Sequence, residues 1–263
     1  MAAHYLSVDL GGTKCAGAII TGDGEILCEE RVRIAGLVGD EVGEVILDLI
    51  NKLAQSADIF LRDISGIGVS VPGISLHAAN TVWAPNMPGW EAYPLRRMIM
   101  EAIGGSTVVY VDCDRTCSIL GEWWLGAARG CSNAIYLAFG TGIGAGILAD
   151  GHILRGHGDI AGAIGWMALD DRYEEGYEKY GCFEYNASDD GLRRLVHDLW
   201  HKGEISRTTR LNVPLVSAVE LFTAYEENEP LAGGGGGTGI GYWGKCAGKL
   251  GSNFYPEKII FRS

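Results

Sequence analysis

The chain has 263 residues, of which 47% are hydrophobic and 21% charged, so it can bury a core and does not have the composition of a disordered protein. Its formal net charge of −12 argues against a nucleic-acid-binding surface, which needs clustered Lys and Arg. The apolar runs have the length of strands, and none approaches the ~20 residues of a membrane span. The first predicted strand begins so early that it leaves no room for the charged and apolar regions of a signal peptide. The seven cysteines are irregularly spaced, which is typical of reduced thiols. We therefore expect a cytoplasmic protein with no nucleic-acid and no membrane partner.

One order of strands and turns occurs twice in the chain. Each copy predicts a strand, a Gly-Thr turn, a second strand, an Asp-Gly turn and a third strand. The turns are Gly12-Thr13 and Asp23-Gly24 in the first copy, and Gly140-Thr141 and Asp150-Gly151 in the second. The offset is 128 residues at the Gly-Thr pairs and 127 at the Asp-Gly pairs, so one residue is lost in between. The order indicates an internal duplication, with two unrelated glycine-rich hairpins as the alternative.

The composition of the two Gly-Thr turns predicts phosphate binding. Glycine lets backbone N–H groups approach a phosphate closely, and the threonine hydroxyl is a further donor. Neither turn matches G-x-x-x-x-G-K-[ST], and neither matches G-x-G-x-x-G opening a helix. A P-loop and a Rossmann nucleotide site are therefore excluded. The remaining interpretation is that both hairpins bind one polyphosphate.

Between the two copies, helices and strands alternate. Apolar residues at helical spacing follow Asp40, a candidate N-cap. They are Val42, Val45, Ile46, Leu49, Ile50 and Leu53. A buried strand is predicted at 67–71, a long loop carries residues 84–90, and a short helix is expected near 94–103.

Two acidic residues stand between a predicted strand and a predicted helix. The strand covers 108–111, and Asp112 and Asp114 precede the helix that runs through the two tryptophans after Gly121-Glu122. Ligands bind at this carboxyl end of the strands in parallel sheets. These carboxylates are therefore candidates for catalysis, although Asp114 could also serve as a helix N-cap.

Taken together, these segments resemble the ROK family of bacterial glucokinases, N-acetylhexosamine and fructose kinases, and related sugar-responsive repressors. The motifs, in the order the family has them, are DLGGTK, GVSVPG, WAPNMPGW, VDCDRTCSILGEWWLGAARG and FGTGIGAGI. The resemblance runs from about Tyr5 to Phe261 and implies an α/β, two-domain actin-like ATPase or sugar-kinase (ribonuclease H-like) fold with duplicated β-hairpin phosphate loops. It implies an N-terminal α/β domain at 1–117, with the first phosphate motif and part of the sugar cleft. A C-terminal α/β domain at 118–263 would hold the second motif, the rest of the sugar site and a truncated adenine side.

The resemblance also implies roles for individual residues. Asp114 matches the general base, chosen over Asp112 by counting back from Gly121-Glu122, and Asp9 matches the acidic residue that holds Mg²⁺ of Mg·ATP through water. The implied phosphate cradle is Gly11, Gly12, Thr13, Lys14, Gly140, Thr141 and Gly142. The implied sugar-binding residues are Gly73, Asn86, Asp114, Trp166 and Glu184.

The reaction implied is transfer of phosphate from ATP, with Mg²⁺, to a hydroxyl of a hexose or sugar-like substrate, and a homodimer is expected. Phosphoryl transfer needs positioning, charge neutralisation and one carboxylate that takes the hydroxyl proton. The alternative is a non-catalytic or impaired relative that binds sugar and lacks the adenine-binding segment. A repressor is disfavoured, because family repressors carry a DNA-binding segment before the first motif and eight residues precede Asp9 here.

The sequence departs from the family pattern in the sugar and zinc segments. Ala163 and Trp166 replace a Glu and a His of the family sugar site, and Cys182 is what remains of a cysteine cluster. One Cys without a neighbouring His cannot complete a tetrahedral zinc site, so no zinc is expected. His197 and His201 are interpreted as solvated helix surface. With two polar contacts replaced, the site should be less strict for the hydroxyl pattern of glucose.

The C-terminal part departs as well. The segment YPEKIIF resembles the strand that precedes the family's adenine turn, and the chain ends two residues later. Weak binding of the adenine ring relative to the triphosphate is therefore expected. The run Gly233–Gly237 predicts a flexible linker, because glycine loses much conformational entropy when it is ordered.

Overall fold

The structure is a computed structural model that describes residues 3–104, 107–203, 218–227 and 230–262. It has two compact units. Unit 1 comprises Met1–Gly121 and Arg155–Ile160, and unit 2 comprises Glu122–Leu154 and Ala161–Ser263. A short part of the chain between two segments of unit 2 thus belongs to unit 1. None of the helices in the described ranges is long and apolar enough to cross a membrane.

Unit 1 is built on a five-stranded sheet with the order β3-β2-β1-β4-β7. Within the described residues, unit 1 as a whole has seven strands, five in this sheet and two in a hairpin. They are β1 (His4–Leu10), β2 (Lys14–Thr21), β3 (Ile26–Arg33), β4 (Gly66–Val71), β5 (Ile74–Leu76), β6 (Thr81–Trp83) and β7 (Val108–Cys113). The helices are α1 (Asp40–Ser56), α2 (Leu95–Ile103) and α3 (Asp114–Trp124), the last of which runs on into unit 2. Strands β1, β4 and β7 are parallel, whereas β5 and β6 form a separate hairpin.

The core of unit 1 follows from the alternation of apolar residues on the strands. Leu6, Val8 and Leu10 of β1 are buried, and α1 packs on the same side of the sheet. The predicted apolar face of α1 is confirmed. The prediction that Asp40 caps this helix is wrong, because the cap residue is Gly39 and Asp40 is the first helical residue. Gly39 has φ of 53°, a left-handed conformation that glycine adopts without strain.

Unit 2 is built on a four-stranded sheet with the order β10-β9-β8-β11. Its strands are β8 (Ala134–Phe139), β9 (Ile143–Ala149), β10 (His152–Ile153) and β11 (Lys258–Arg262). The helices are α4 (Tyr177–Tyr180), α5 (Cys182–Ala187), α6 (Asp189–His201), α7 (Ala218–Glu226) and α8 (Pro230–Phe254). The predicted C-terminal strand is thus β11, and it pairs in parallel with β8.

The two sheets share one topology, which extends the repeat seen in the sequence. Strands β1, β2 and β3 form an antiparallel meander, as do β8, β9 and β10. Each first strand also pairs in parallel with a later strand, β4 in unit 1 and β11 in unit 2. The Gly-Thr turn spans four residues between the paired Leu10 and Cys15, and three between the paired Phe139 and Ile143. This difference lies before the Gly-Thr pair, so it is separate from the residue that is lost between the Gly-Thr and the Asp-Gly pairs.

The glycine run does not form a linker, so that prediction is wrong. Gly233–Gly237 lie within helix α8. Further along the same helix, Tyr242, Cys246 and Leu250 are buried at a spacing of four residues and pack in the core of unit 2. Each glycine costs a helix about 1 kcal/mol relative to alanine. Tertiary anchoring of the helix decides the conformation here, against the local propensity of the run.

Candidate active site

The parallel strands of unit 1 bring polar residues together at their carboxyl ends. Asp9 of β1 is paired in register with Ser70 of β4, and Ser70 with Asp112 of β7. The three residues therefore form one row across the sheet, with Asp114 following immediately after β7. Ligand sites in parallel sheets form at this end of the strands.

Asp114 lies at the end of β7 as the first residue of α3, with its side chain exposed. Its Oδ1 accepts a hydrogen bond of 2.7 Å from the Arg115 N–H. An N-cap side chain would bond to the second or third N–H of the helix, so the observed bond is not that of a regular cap. The surrounding protein atoms desolvate the carboxylate and raise its pKa, and the charge of Asp9 acts in the same direction. The Arg115 N–H and charge oppose this shift.

Asp112 is in a different environment, although it lies only two residues away. It is 2% exposed, and its Oδ1 accepts the Cys113 N–H at 2.8 Å. Its Oδ2 lies 2.7 Å from Nη1 of Arg155, an ion pair whose angles do not make a regular hydrogen bond. A substrate hydroxyl needs an accessible carboxylate, so Asp114 is the better candidate base.

The first Gly-Thr turn is held by two backbone hydrogen bonds, one within the turn and one from the residue after β3. The Gly11 N–H donates to the Lys14 carbonyl at 2.9 Å, and the Ile34 N–H donates to the Thr13 carbonyl at 3.0 Å. A Cβ atom built on Gly12 would meet no atom within 4 Å. In the described part of the chain, the N–H groups of Gly12 and Thr13 have no partner. Two backbone donors are therefore free beside Asp9.

The second Gly-Thr turn offers the same donors. The Gly140 N–H donates to the Gly142 carbonyl at 3.1 Å, and the Gly140 carbonyl accepts the Asp189 N–H at 2.9 Å. A Cβ on Gly140 would also meet nothing within 4 Å. The N–H groups of Thr141 and Gly142 have no partner among the described residues. Neither Gly12 nor Gly140 has a positive φ, so neither packing nor backbone strain requires glycine there.

Glu184 braces the second turn from α5. Its Oε2 accepts the Ile143 N–H at 2.8 Å, directly after the turn. A Cβ on Gly142 would lie 3.3 Å from Oε2, and one on Gly165 would lie 3.0 Å from it. Burial raises the pKa of this carboxyl group, and the Ile143 N–H opposes the shift. This contact with the phosphate turn could not be read from the sequence.

The predicted sugar segments of unit 1 lie in the loops after β4 and β6. Gly73 has φ of 111°, and a Cβ there would lie 2.2 Å from the Trp83 carbonyl oxygen, so this position requires glycine. Asn86 is exposed in the loop that follows β6. Trp90 is fully buried and donates from Nε1 to the Gly39 carbonyl at 3.0 Å, which fixes the end of that loop.

The segment that departs from the family pattern forms a short 3-10 helix at Ile164–Trp166 in unit 2. Trp166 is 57% exposed, and Ala163 is half-buried. In the described ranges, no three His, Cys, Asp or Glu side chains cluster as metal ligands. His197 and His201 are exposed on α6, with their Nε2 atoms 3.0 Å apart, which agrees with helix surface. The expected absence of zinc stays a prediction.

One cluster of charged residues in unit 1 was missed by sequence reasoning. Arg155 contacts Asp112, Tyr110 and His77, and Asp159 contacts His77. No motif marks these residues, because they come together from three separate parts of the chain.

Comparison with known proteins identifies the class of molecule. Residues 5–263 match the ROK family, so the chain belongs to that family. A glucokinase of Halalkalibacterium halodurans is 30% identical over 265 residues, which cover 97% of this chain and 78% of the relative. A xylose repressor of Caldicellulosiruptor bescii is 32% identical over 203 residues, which cover 75% of this chain and 50% of the repressor. The family resemblance predicted from the sequence is therefore confirmed.

Solved structures confirm the fold. The ROK hexokinase from Thermus thermophilus superposes with a TM-score of 0.80 at 26% identity, covering 98% of this chain and 80% of that chain. A ROK family glucokinase from Streptomyces griseus in complex with glucose and AMPPNP gives a TM-score of 0.76 at 23% identity, covering 98% and 82%. The chain thus has the α/β actin-like ATPase and sugar-kinase fold that the sequence predicted.

Proposed function

We propose that the protein transfers phosphate from ATP to a hydroxyl of a hexose or sugar-like substrate, with Asp114 as general base. The observation that carries this proposal is the pair of carboxylates at the strand ends of unit 1. Asp114 is accessible with a raised pKa and Asp9 lies close enough to contribute to that shift, while Asp112 is occupied by Arg155. A raised pKa makes Asp114 a stronger base for a hydroxyl proton.

The residues present fit a nucleoside triphosphate and a divalent cation. Two turns have four unpartnered backbone N–H groups within the described chain, at Gly12, Thr13, Thr141 and Gly142. Such donors bind phosphate oxygens, and the carboxylate of Asp9 suits Mg²⁺, which prefers oxygen ligands. When bound, ATP supplies the phosphoryl group, whose bond to ADP breaks as the bond to the sugar oxygen forms, and Mg²⁺ neutralises phosphate charge.

The chain's own residues have four tasks in this proposal. Asp114 accepts the hydroxyl proton at a carboxylate oxygen as the oxygen becomes a nucleophile. The free N–H groups of the two turns orient the phosphates, and Asp9 holds the cation through water. Asn86, Gly73, Trp166 and Glu184 are proposed for the sugar site. Ala163 and Trp166 offer an apolar surface, so we propose a substrate class broader than glucose.

A coupled ADP-release assay of the purified protein tests the function. The panel contains D-glucose, D-mannose, D-fructose, N-acetylmannosamine, N-acetylglucosamine and myo-inositol, each with Mg·ATP. We expect turnover with at least one hexose or amino sugar, and turnover at least about 100-fold slower in a matched Asp114→Asn preparation. Equal turnover by both preparations would remove Asp114 from the role of base.

A non-catalytic sugar-binding protein is the second candidate. The observation that favours it is the sequence identity to a xylose repressor, which is 32% over 75% of this chain. The identity to the glucokinase is 30% over 97% of this chain. Calorimetry with the same sugars separates the two functions. Sugar binding without ADP release by the wild-type protein would support this second candidate over the kinase.

A further inference from the structure

A polar cluster in unit 1 lies beside the proposed base and outside the roles assigned so far. Its centre is Arg155, the first residue of the segment that passes from unit 2 into unit 1. Nη1 of Arg155 lies 2.7 Å from Oδ2 of Asp112, and Nη2 donates to the Tyr110 hydroxyl at 2.6 Å. Both partners belong to β7, the strand that leads directly into Asp114.

The third contact of Arg155 is with a histidine. Nη1 lies 2.9 Å from Nε2 of His77. The same Nε2 lies 3.6 Å from Oδ2 of Asp112, so His77 faces both members of the ion pair. His77 follows β5 and is 31% exposed, and its backbone N–H donates to Oδ2 of Asp159 at 3.0 Å. The Arg155–Ile160 segment is therefore attached to unit 1 near both of its ends.

Local backbone conformation explains why the segment needs these two attachments. Gly156 and Gly158 have φ of 68° and 69°, and Asp159 has φ of 58°. Such conformations are costly for a non-glycine residue and persist only when surrounding contacts hold them. The ion pair at one end and the Asp159 bond at the other supply those contacts.

The segment runs directly into the proposed sugar-site residues. Two residues after Ile160, the Gly162 carbonyl accepts the N–H groups of Ala145 and Ile164, and the 3-10 helix that ends at Trp166 begins. We propose that Arg155 is a positioning residue: paired with buried Asp112, it holds the 155–160 segment on the strand that bears the base. The chain leaves this segment at Ala161, two residues before Ala163, so the segment is the connection that leads to the proposed sugar-site residues. This inference rests on the proposed function only for its kinetic consequence.

The buried carboxylate gives the pairing its strength. Asp112 is 2% exposed, and its Oδ2 has no regular hydrogen bond within the described chain. The guanidinium of Arg155 at 2.7 Å is the nearer of the two basic groups that face this oxygen, and Nε2 of His77 lies 3.6 Å away. A buried charge whose partner is removed is strongly unfavourable, whereas loss of both partners is tolerated much better. Arg155→Met should therefore do more harm than Arg155→Met combined with Asp112→Asn.

The chain contains a matched control. Arg96 is also half-buried and also bonds to β7, through Nε to the Val109 carbonyl at 2.9 Å, with Nη1 donating to Asn80. In the described structure it makes no hydrogen bond or ion pair with the 155–160 segment or with Asp112. Arg96→Met removes from α2 a guanidinium that contacts the same strand, without releasing the 155–160 segment.

Hydrogen exchange of the ligand-free protein is the primary test. Arg155→Met should speed exchange of the amides in residues 156–166 by about tenfold or more, the range expected when a local contact of this kind is lost. Arg96→Met should leave these amides unchanged, and Asp112→Asn/Arg155→Met should recover part of the protection. Equal exchange in Arg155→Met and wild type would overturn the proposal.

Kinetics with D-glucose as the acceptor probe supply the second readout. Arg155→Met should raise KM for glucose or lower kcat by about 10- to 100-fold, with KM for Mg·ATP nearly unchanged, because misplacement of a substrate segment has effects of this size. Arg155→Lys should recover part of the loss, and Arg96→Met should show none. Equal changes in both KM values would contradict a positioning role. If the wild-type protein turns over none of the sugars in the panel, the kinase function fails while hydrogen exchange still decides the role of Arg155.

Discussion

The two Gly-Thr turns are one backbone device in two different surroundings. In both units one backbone bond closes the turn and one N–H from outside holds it, donated by Ile34 in unit 1 and by Asp189 in unit 2. In unit 1 the strand before the turn carries Asp9. In unit 2 the turn is one residue shorter, and Glu184 on α5 also accepts the Ile143 N–H directly after it. A carboxylate therefore stands free beside the first turn, whereas the carboxylate beside the second turn is part of its scaffold.

This difference separates two kinds of work in the proposed reaction. Unit 1 supplies accessible acidic groups, Asp9 and Asp114, which suit proton transfer and cation binding. Both units supply backbone donors, and in unit 2 the turn that carries them is held by half-buried Glu184. Substitutions of Asp9 and Asp114 should thus act on catalysis, substitutions in either turn on nucleotide binding, and substitutions of Glu184 on stability.

The largest effect is expected at Asp114. Asp114→Asn should lower kcat by about 10²- to 10⁴-fold, the usual contribution of a positioned general base. Sugar binding should persist, because the amide keeps the size of the side chain. Steady-state kinetics together with calorimetry check both parts. Near-normal kcat in Asp114→Asn, alongside complete loss in Asp112→Asn, would move the base to the buried position.

A smaller effect is expected when a side chain is placed on either turn. Gly12→Val and Gly140→Val should each weaken Mg·ATP binding about tenfold or more, since losing one hydrogen bond to phosphate costs on the order of 1–1.5 kcal/mol. Melting temperatures should hardly change, because the space beside both positions is open.

Gly68→Ala is the matched control for the turns. Gly68 lies within β4, has no positive φ, and a Cβ there would meet nothing within 4 Å. Calorimetry with Mg·ATP should find its affinity equal to wild type. An equal loss in this control would show that glycine in open positions matters for reasons other than phosphate binding.

Titration of the Glu184 carboxyl group should make the stability of the protein depend on pH. Burial raises the pKa of this carboxyl group in the folded state, so its stabilising contribution is present at acid pH and is lost as the pH rises through the folded pKa. Glu184→Gln should therefore melt at the same temperature as wild type or higher at pH 7–8, with the difference vanishing near pH 4. Thermal unfolding across this range measures it.

Glu184→Ala separates the effect of the hydrogen bond to the Ile143 N–H from the effect of the carboxylate charge. This variant leaves the Ile143 N–H without its acceptor, and we expect a loss of about 1–3 kcal/mol, the cost of an unsatisfied buried donor. A melting temperature equal to that of Glu184→Gln at every pH would show that the hydrogen bond does not hold the turn.

The smallest expected effect concerns metal removal. Elemental analysis should find no stoichiometric zinc, and chelators should not lower the melting temperature, because Ala163, Trp166 and the single Cys182 replace the groups that would complete a site. One zinc ion per chain, released only on unfolding, would contradict this prediction.

The sequence alone determined the class of fold and the repeated device. Glycine and threonine at fixed places between apolar strands define the two hairpins, and the order of five motifs defines the family. These features are local, so periodicity and turn chemistry carry them without knowledge of the tertiary structure. The position of Asp114 at a strand end could also be predicted from the sequence, because the residue pattern changes there from that of a strand to that of a helix.

Only the tertiary structure decided how the acidic residues differ. The family resemblance selected Asp114 over Asp112, but it gave no physical difference between them. Arg155, 43 positions after Asp112, pairs with that buried carboxylate, whereas Asp114 is exposed. Glu184 reaches Ile143 in the same way, across 41 positions. The glycine run in α8 follows the same principle, since anchoring by Tyr242 and Cys246 overrides its local preference. Long-range contacts of this kind leave no signal in a single sequence, because a side chain's environment depends on which distant strands and helices pack around it.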